Sequence, residues 1–122
     1  MTVKYIGFCI LKPFLHFFCM DSPEIKRLKE KTGIDILWIY VLSLLKKESC
    51  HPYLLRKKIS DEFGFLPGEV TVYVVLYKLK ARGFVSSKKE ENKVVYSVTK
   101  KGIELLKDAE MLLKEKTKKI FN

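Results

Sequence analysis

Beyond its first twenty residues the chain alternates between two hydrophobic rhythms: helical spacing up to Arg82 and again after Thr99, and strict alternation in between. Ser22-Pro23-Glu24 reads as a helix start, with a hydroxyl cap, a proline at the first helical position and an acid near the positive end of the dipole. Gly33 stops that short helix. Asp35 is expected to cap the next, Ile36 to Glu48, whose residues from Ile36 to Leu45 are apolar almost all the way round. A helix of that kind needs cover on more than one side, so it is expected at the centre of the core, with one face left for a second subunit. His51-Pro52 breaks it. A third helix, Tyr53 to Phe63, turns Leu54, Leu55, Ile59 and Phe63 inward and Arg56, Lys57 and Lys58 outward, and Gly64 ends it. Pro67 is expected to open a fourth helix, Gly68 to Arg82, stopped by Gly83.

After Gly83 the period changes to two. Phe84 to Lys89 and Lys93 to Val98 predict two strands, with Glu90-Glu91-Asn92 as the hairpin turn. Thr99 caps a last helix from Lys100 to about Ile120, on the order of 30 Å long. Ile103, Leu106, Ala109, Leu113 and Ile120 fall on one stripe of that helix, longer than so small a domain can cover, which predicts a dimerisation surface. The fold expected is mainly α with a small β-hairpin: a winged helix-turn-helix over residues 22–99, followed by a C-terminal dimerisation helix over residues 100–122.

Residues 1–21 form an apolar, aromatic-rich extension. Lys4, Lys12, Pro13 and His16 interrupt it, leaving it short of the ~20 apolar residues of a membrane span. It lacks a clear basic n-region and a small-residue cleavage site. Two readings stand: an element packed on the domain or across a dimer, or an extension ahead of a natural start at Met20. The lack of an export signal leads us to expect a cytoplasmic protein with no stable membrane span.

Charge changes the picture most. The chain's 122 residues carry 24 Lys and Arg against 14 Asp and Glu, a formal net charge of +10, which favours a polyanionic partner, nucleic acid or an anionic membrane. Cys9, Cys19 and Cys50 have no zinc spacing, and His16 and His51 sit in no ligand pattern, so no metal site and no cofactor are expected. A Cys9–Cys19 bridge stays open. No phosphate loop, nucleophile elbow or paired catalytic histidine is present, which argues against an enzyme.

In a winged helix-turn-helix the fourth helix lies in the major groove of double-stranded DNA and the hairpin reaches the neighbouring backbone or minor groove. From Lys78 to Lys101 eight basic residues face two acidic ones, +6 of the total. The residues expected on DNA are Thr71 and Tyr73 in the first turns of the recognition helix, then Tyr77, with Lys78 and Arg82 for phosphate, and Lys88, Lys89 and Lys93 on the wing. Val70, Val74 and Val75 leave few polar groups for direct readout. Contact with thymine methyls and readout of DNA shape are both open, with much of the affinity from phosphates. The competing reading is an accessory winged-helix module for protein or RNA binding.

Phe63-Gly64-Phe65-Leu66-Pro67-Gly68, Thr71-Val72-Tyr73, Leu76-Tyr77-Lys78-Leu79, Gly83-Phe84-Val85 and Tyr96-Ser97-Val98-Thr99-Lys100-Lys101-Gly102 together resemble the PadR family of transcriptional regulators, over about Asp35 to Lys114. The chain departs from that pattern where Glu69-Val70 intervenes between Pro67-Gly68 and Thr71, and where the wing turn lacks a Gly-Arg-Pro stretch. The resemblance implies a homodimeric regulator, usually a repressor, paired through its last helix. Some members respond to phenolic acids or hydrophobic drugs near the dimer interface. Trp38 is the residue here that would line such a pocket for a small hydrophobic effector, its alternative place being the core.

Overall fold

A computed structural model describes residues 22–122; the apolar extension, the Met20 start and the Cys9–Cys19 bridge lie outside the described residues. The chain divides into two compact units, residues 1–35 and 36–122. The described part of the first is helix α1, Pro23–Thr32, capped by the Ser22 hydroxyl, which accepts the Ile25 N–H at 3.1 Å.

The second unit holds three helices, α2 (Leu37–Lys47), α3 (Pro52–Phe63) and α4 (Glu69–Ala81), a hairpin of β1 (Val85–Glu90) and β2 (Lys93–Val98), and a long helix α5 (Lys100–Phe121). Helix α2 is the hub: it packs against α3, α4, α5 and β2, and Leu37, Val41, Leu42, Leu44 and Leu45 are buried. Its all-round apolar surface is explained by that coverage. Leu55 and Ile59 from α3, and Val72, Leu76 and Leu79 from α4, complete the core.

Two helix starts differ from the sequence expectation. Asp35 does not cap α2. A 3-10 turn over Ile34–Ile36 intervenes, Ile36 takes the cap position without a side-chain hydrogen bond, and the Asp35 carboxylate pairs with Lys31 at 3.0 Å instead. Pro67 does not open α4. It is fully buried in the turn, and Gly68 takes the cap position. Burial of its ring fixes Pro67 more strongly than the general preference of proline for a first helical turn.

The hairpin turn is also tighter than expected. Glu90 pairs with Lys93, leaving Glu91 and Asn92 as a two-residue connection, and Glu91 takes a positive φ of 56°. The base of the wing is tied to α5 through Thr99. Its hydroxyl accepts the Gly102 N–H at 3.1 Å and donates to the Gly83 carbonyl at 2.7 Å. The 22 residues of α5 then run past the domain. Leu105 and Leu106 pack against the core and Ala109 is buried, but Met111, Leu112, Leu113, Ile120 and Phe121 are exposed.

Candidate nucleic-acid interface

Helix α4 is seated by Val72, Leu76 and Leu79, with Val75 half-buried beside them. At about 100° per residue, the pole furthest from that seat carries Val70, Val74, Tyr77 and Ala81. Thr71, Lys78 and Arg82 lie along one flank, Tyr73 and Lys80 along the other, and all of these are exposed. Glu69, in the first turn, is the one acid on the helix. The helix therefore presents an apolar ridge between two polar, largely basic margins.

The turn before α4 is held internally. Gly64 closes α3 in the left-handed conformation, φ 78°, as glycine readily does. Arg56 Nε donates to the Pro67 carbonyl at 2.7 Å, so this arginine of the Arg56-Lys57-Lys58 run fixes the turn. Lys58 is committed as well, to Glu48 at 2.7 Å, while Lys57 is exposed. Tyr40 from α2 packs its ring on Phe63 and Phe65, centroids 4.8 and 5.1 Å away, covering the turn from the core side.

The wing stands beside this helix. Lys88, Lys89 and Lys93 are all exposed. Side chains alternate across the sheet, so Lys88 lies on the face opposite buried Val85, while Lys89 shares the face of Val85 and Ser87. Lys80 bonds Ser87 at 2.6 Å, joining α4 to β1. Arg82 and Lys101 both approach the Phe84 ring, at 5.9 and 5.0 Å from its centroid, and Lys101 also bonds the Arg82 carbonyl at 2.8 Å. These contacts hold two cations at the foot of the wing.

A groove of about 440 Å³ separates the wing from the start of α3 and brings together His51, Tyr53, Tyr73, Lys93 and Tyr96. His51 caps α3, its Nδ1 accepting the Leu54 N–H at 3.4 Å, and its ring stacks against that of exposed Tyr53, the planes 9° apart. Sequence reasoning missed Tyr53 here. Its position out of phase with Leu54, Leu55 and Ile59 was the available signal that it faces outward. A second groove, about 460 Å³, lies behind α4 and is lined by Trp38, Val75, Lys78, Arg82, Phe84 and Leu105. Trp38 thus both packs on the core and lines a cavity.

The expected DNA residues fall into two groups that the fold places side by side: Thr71, Tyr73, Tyr77 and Lys78 on α4 with Arg82 capping its end, and Lys88, Lys89 and Lys93 on the hairpin. The expected dimerisation stripe is divided. Ile103 and Leu106 are half-buried and Ala109 is buried within the chain's own domain, whereas Leu113 and Ile120 are exposed. Among the described residues no group of acids, histidines and cysteines is arranged to hold a metal, and no helix is long and apolar enough to cross a membrane.

Among curated proteins, no sequence matches the chain. Solved structures do. A protein of Thermoplasma acidophilum described as a transcriptional regulator is 28% identical, with a TM-score of 0.65 over 75% of this chain and 92% of its own. A PadR-like transcription factor from Bacteroides fragilis superposes with a TM-score of 0.65 at 24% identity, over 77% of this chain and 95% of its own. The Bacillus subtilis PadR, solved in complex with operator DNA, is 25% identical with a TM-score of 0.55, over 60% of this chain and 45% of that longer one. The model of the PadR-like transcriptional regulator family matches residues 41–108, from α2 through the wing into α5. With that match spanning more than half of its length, the chain belongs to the PadR-like family, whose members are transcriptional regulators and not enzymes.

Proposed function

We propose that this protein is a sequence-specific, double-stranded DNA-binding repressor that acts as a homodimer in the cytoplasm. Helix α4 enters the major groove, and the wing lies on the adjacent backbone. The observation that carries this reading is the juxtaposition of the outward face of α4 with basic residues on both its margins and on the hairpin. Phosphate contacts fix orientation, while the face of α4 meets the base edges. Repression is the usual role in the family that the sequence resembles.

Pairing falls to the far half of α5, where Leu113 and Ile120 are bare. A dimer built there presents two copies of α4 to half-sites about 34 Å apart, one turn of DNA. The groove beside Trp38 is the place for a small hydrophobic effector, because it adjoins Lys78 and Arg82 of the reading helix.

Fluorescence anisotropy on the protein's own upstream DNA and on a shuffled duplex, across a salt series, tests the reading. Preferential binding to the upstream duplex, weakening steeply with salt, supports an autoregulating repressor. Absence of binding to either duplex at low salt overturns it in favour of a protein-binding module.

A further inference from the structure

We propose that the bases are read chiefly through thymine: Val70, Val74 and Tyr77 make apolar contact with the 5-methyl groups of a T-rich half-site. This rests on α4 being the reading helix. The three side chains share the pole of α4 opposite its buried seat, and Val70 and Tyr77 are each 74% exposed, Val74 43%. From Val70 to Tyr77 the helix carries no charged residue and no Asn or Gln. The bidentate partners that distinguish guanine or adenine in the major groove are thus missing from the turns that reach the bases.

The arrangement of charge selects DNA as the occupant of this ridge. An apolar patch meant for a protein partner would usually be ringed by mixed polar groups. Here Lys78 and Arg82 run along one margin, Lys80 balances Glu69 along the other, and the wing adds Lys88, Lys89 and Lys93, so the surround is net positive. A mainly apolar ridge, whose one hydrogen-bonding side-chain group is the Tyr77 hydroxyl, set between margins of net positive charge, fits a groove floor between two phosphate walls. On that floor the thymine methyl is the apolar feature, and pressing a valine against the polar edge of a G·C pair strips it of water without replacement. The hydroxyls of Thr71, Tyr73 and Tyr77 remain for phosphates or for bases beside the methyls.

Binding-site selection by the full-length protein from a randomised duplex library tests this, followed by replacement of each selected thymine with deoxyuridine, which removes only the methyl group. The expected result is thymine at two or more positions per half-site and about a fourfold loss of affinity for each methyl removed. The Val70→Ala/Val74→Ala protein is the second arm. Both positions are exposed and alanine favours a helix, so the fold is retained. It should bind the thymine duplex more weakly and discriminate less against deoxyuridine, keeping only the share that Tyr77 supplies. Selected half-sites dominated by G·C pairs, no enriched sequence, or indifference of the unmodified protein to deoxyuridine would each overturn the methyl reading while leaving DNA binding intact. Failure to bind any duplex at low salt would overturn DNA binding itself.

Discussion

Arg56 and Pro67 meet across the helix-turn-helix, the guanidinium Nε donating to the proline carbonyl at 2.7 Å. The bond joins the middle of α3 to the residue next to the α4 cap, so it sets where α4 begins. A charge-assisted hydrogen bond of this kind contributes about 1.5–3 kcal/mol. Arg56→Ala should therefore lower the melting temperature by roughly 5 °C or more and weaken DNA binding, although the side chain is not assigned to DNA. Arg56→Lys keeps the charge but loses the planar donor, and should recover little. Wild-type melting and affinity in both variants would show the bond to be idle.

Gly102 and Gly64 make opposite demands. A Cβ on Gly102 would fall on the carbonyl oxygen of Phe84, where α5 crosses the base of the wing, whereas one on Gly64 would meet nothing within 4 Å. Gly102→Ala should cost at least ~2 kcal/mol through displaced backbone, and Gly64→Ala about 1–2 kcal/mol from its φ of 78° alone. Chemical denaturation of the two variants checks the order. The reverse order would place the strain at the turn instead.

How much of this was legible follows from where periodicity speaks. The all-round apolar run of Ile36–Leu45 announced the hub helix, and the switch to alternation after Gly83 announced the wing, because both patterns reflect burial directly. The start of α4 was misplaced because proline preference is local, while Pro67 is held by tertiary burial and by Arg56, eleven residues away. Arg56 itself looked like part of a charged surface run. Only packing separates it from Lys57. The exposed ridge of α4 is half visible in the sequence: Val70, Val74 and Val75 are evident as apolar positions, but only packing divides outward Val70 and Val74 from half-buried Val75.

The Lys58–Glu48 pair joins α3 to the end of α2 at 2.7 Å. The hydrogen bond and charge of Lys58 hold the Glu48 carboxyl below the ordinary carboxylate range, and the hydrogen bond from Glu48 raises the Lys58 ammonium above the ordinary lysine range. A depressed acid stabilises the fold above its unfolded pKa and loses that contribution as pH falls through the folded value. A raised base stabilises below its unfolded pKa and loses that contribution as pH rises through the folded value. The stability difference between wild type and Glu48→Gln should be constant around neutrality and vanish in strong acid. It should also shrink with salt, since the Glu48 side chain is largely exposed. A difference that persists at the acid end would mean that the glutamine acts on something other than this pair.

The wing lysines should affect salt dependence more than specificity. Lys88, Lys89 and Lys93 are exposed on the hairpin, and among the described residues none of the three has an acid within 4.0 Å. Each lysine that meets a phosphate adds about 0.9 to the slope of log K against log salt. Lys88→Ala/Lys89→Ala/Lys93→Ala should flatten that slope by about one to three units while leaving the preferred sequence unchanged. A changed base preference with an unchanged slope would move the wing from the backbone to the base edges.

The last prediction concerns α5, whose near and far halves do different work. Near its start, Leu105 and Leu106 pack on the core and Ala109 is buried, so truncating them damages the domain itself. Further along, Leu113 is 45% exposed and Ile120 69%, on a helix braced by Glu110–Lys114 and Glu115–Lys119 pairs at 2.7 and 3.1 Å. Those pairs, glutamate before lysine at four-residue spacing, favour the helix without covering its apolar side. A second copy of the chain supplies that cover in the proposed dimer. Leu113→Glu/Ile120→Glu should then yield a folded monomer by sedimentation equilibrium, with an unchanged circular dichroism spectrum and melting temperature no longer dependent on protein concentration. Its affinity for a two-half-site operator should fall toward that for a single half-site, because the second α4 no longer binds from a tethered position. If the variant remains dimeric, the pairing surface lies elsewhere, and exposed Met111, Leu112 and Phe121 of the same helix become the residues to test.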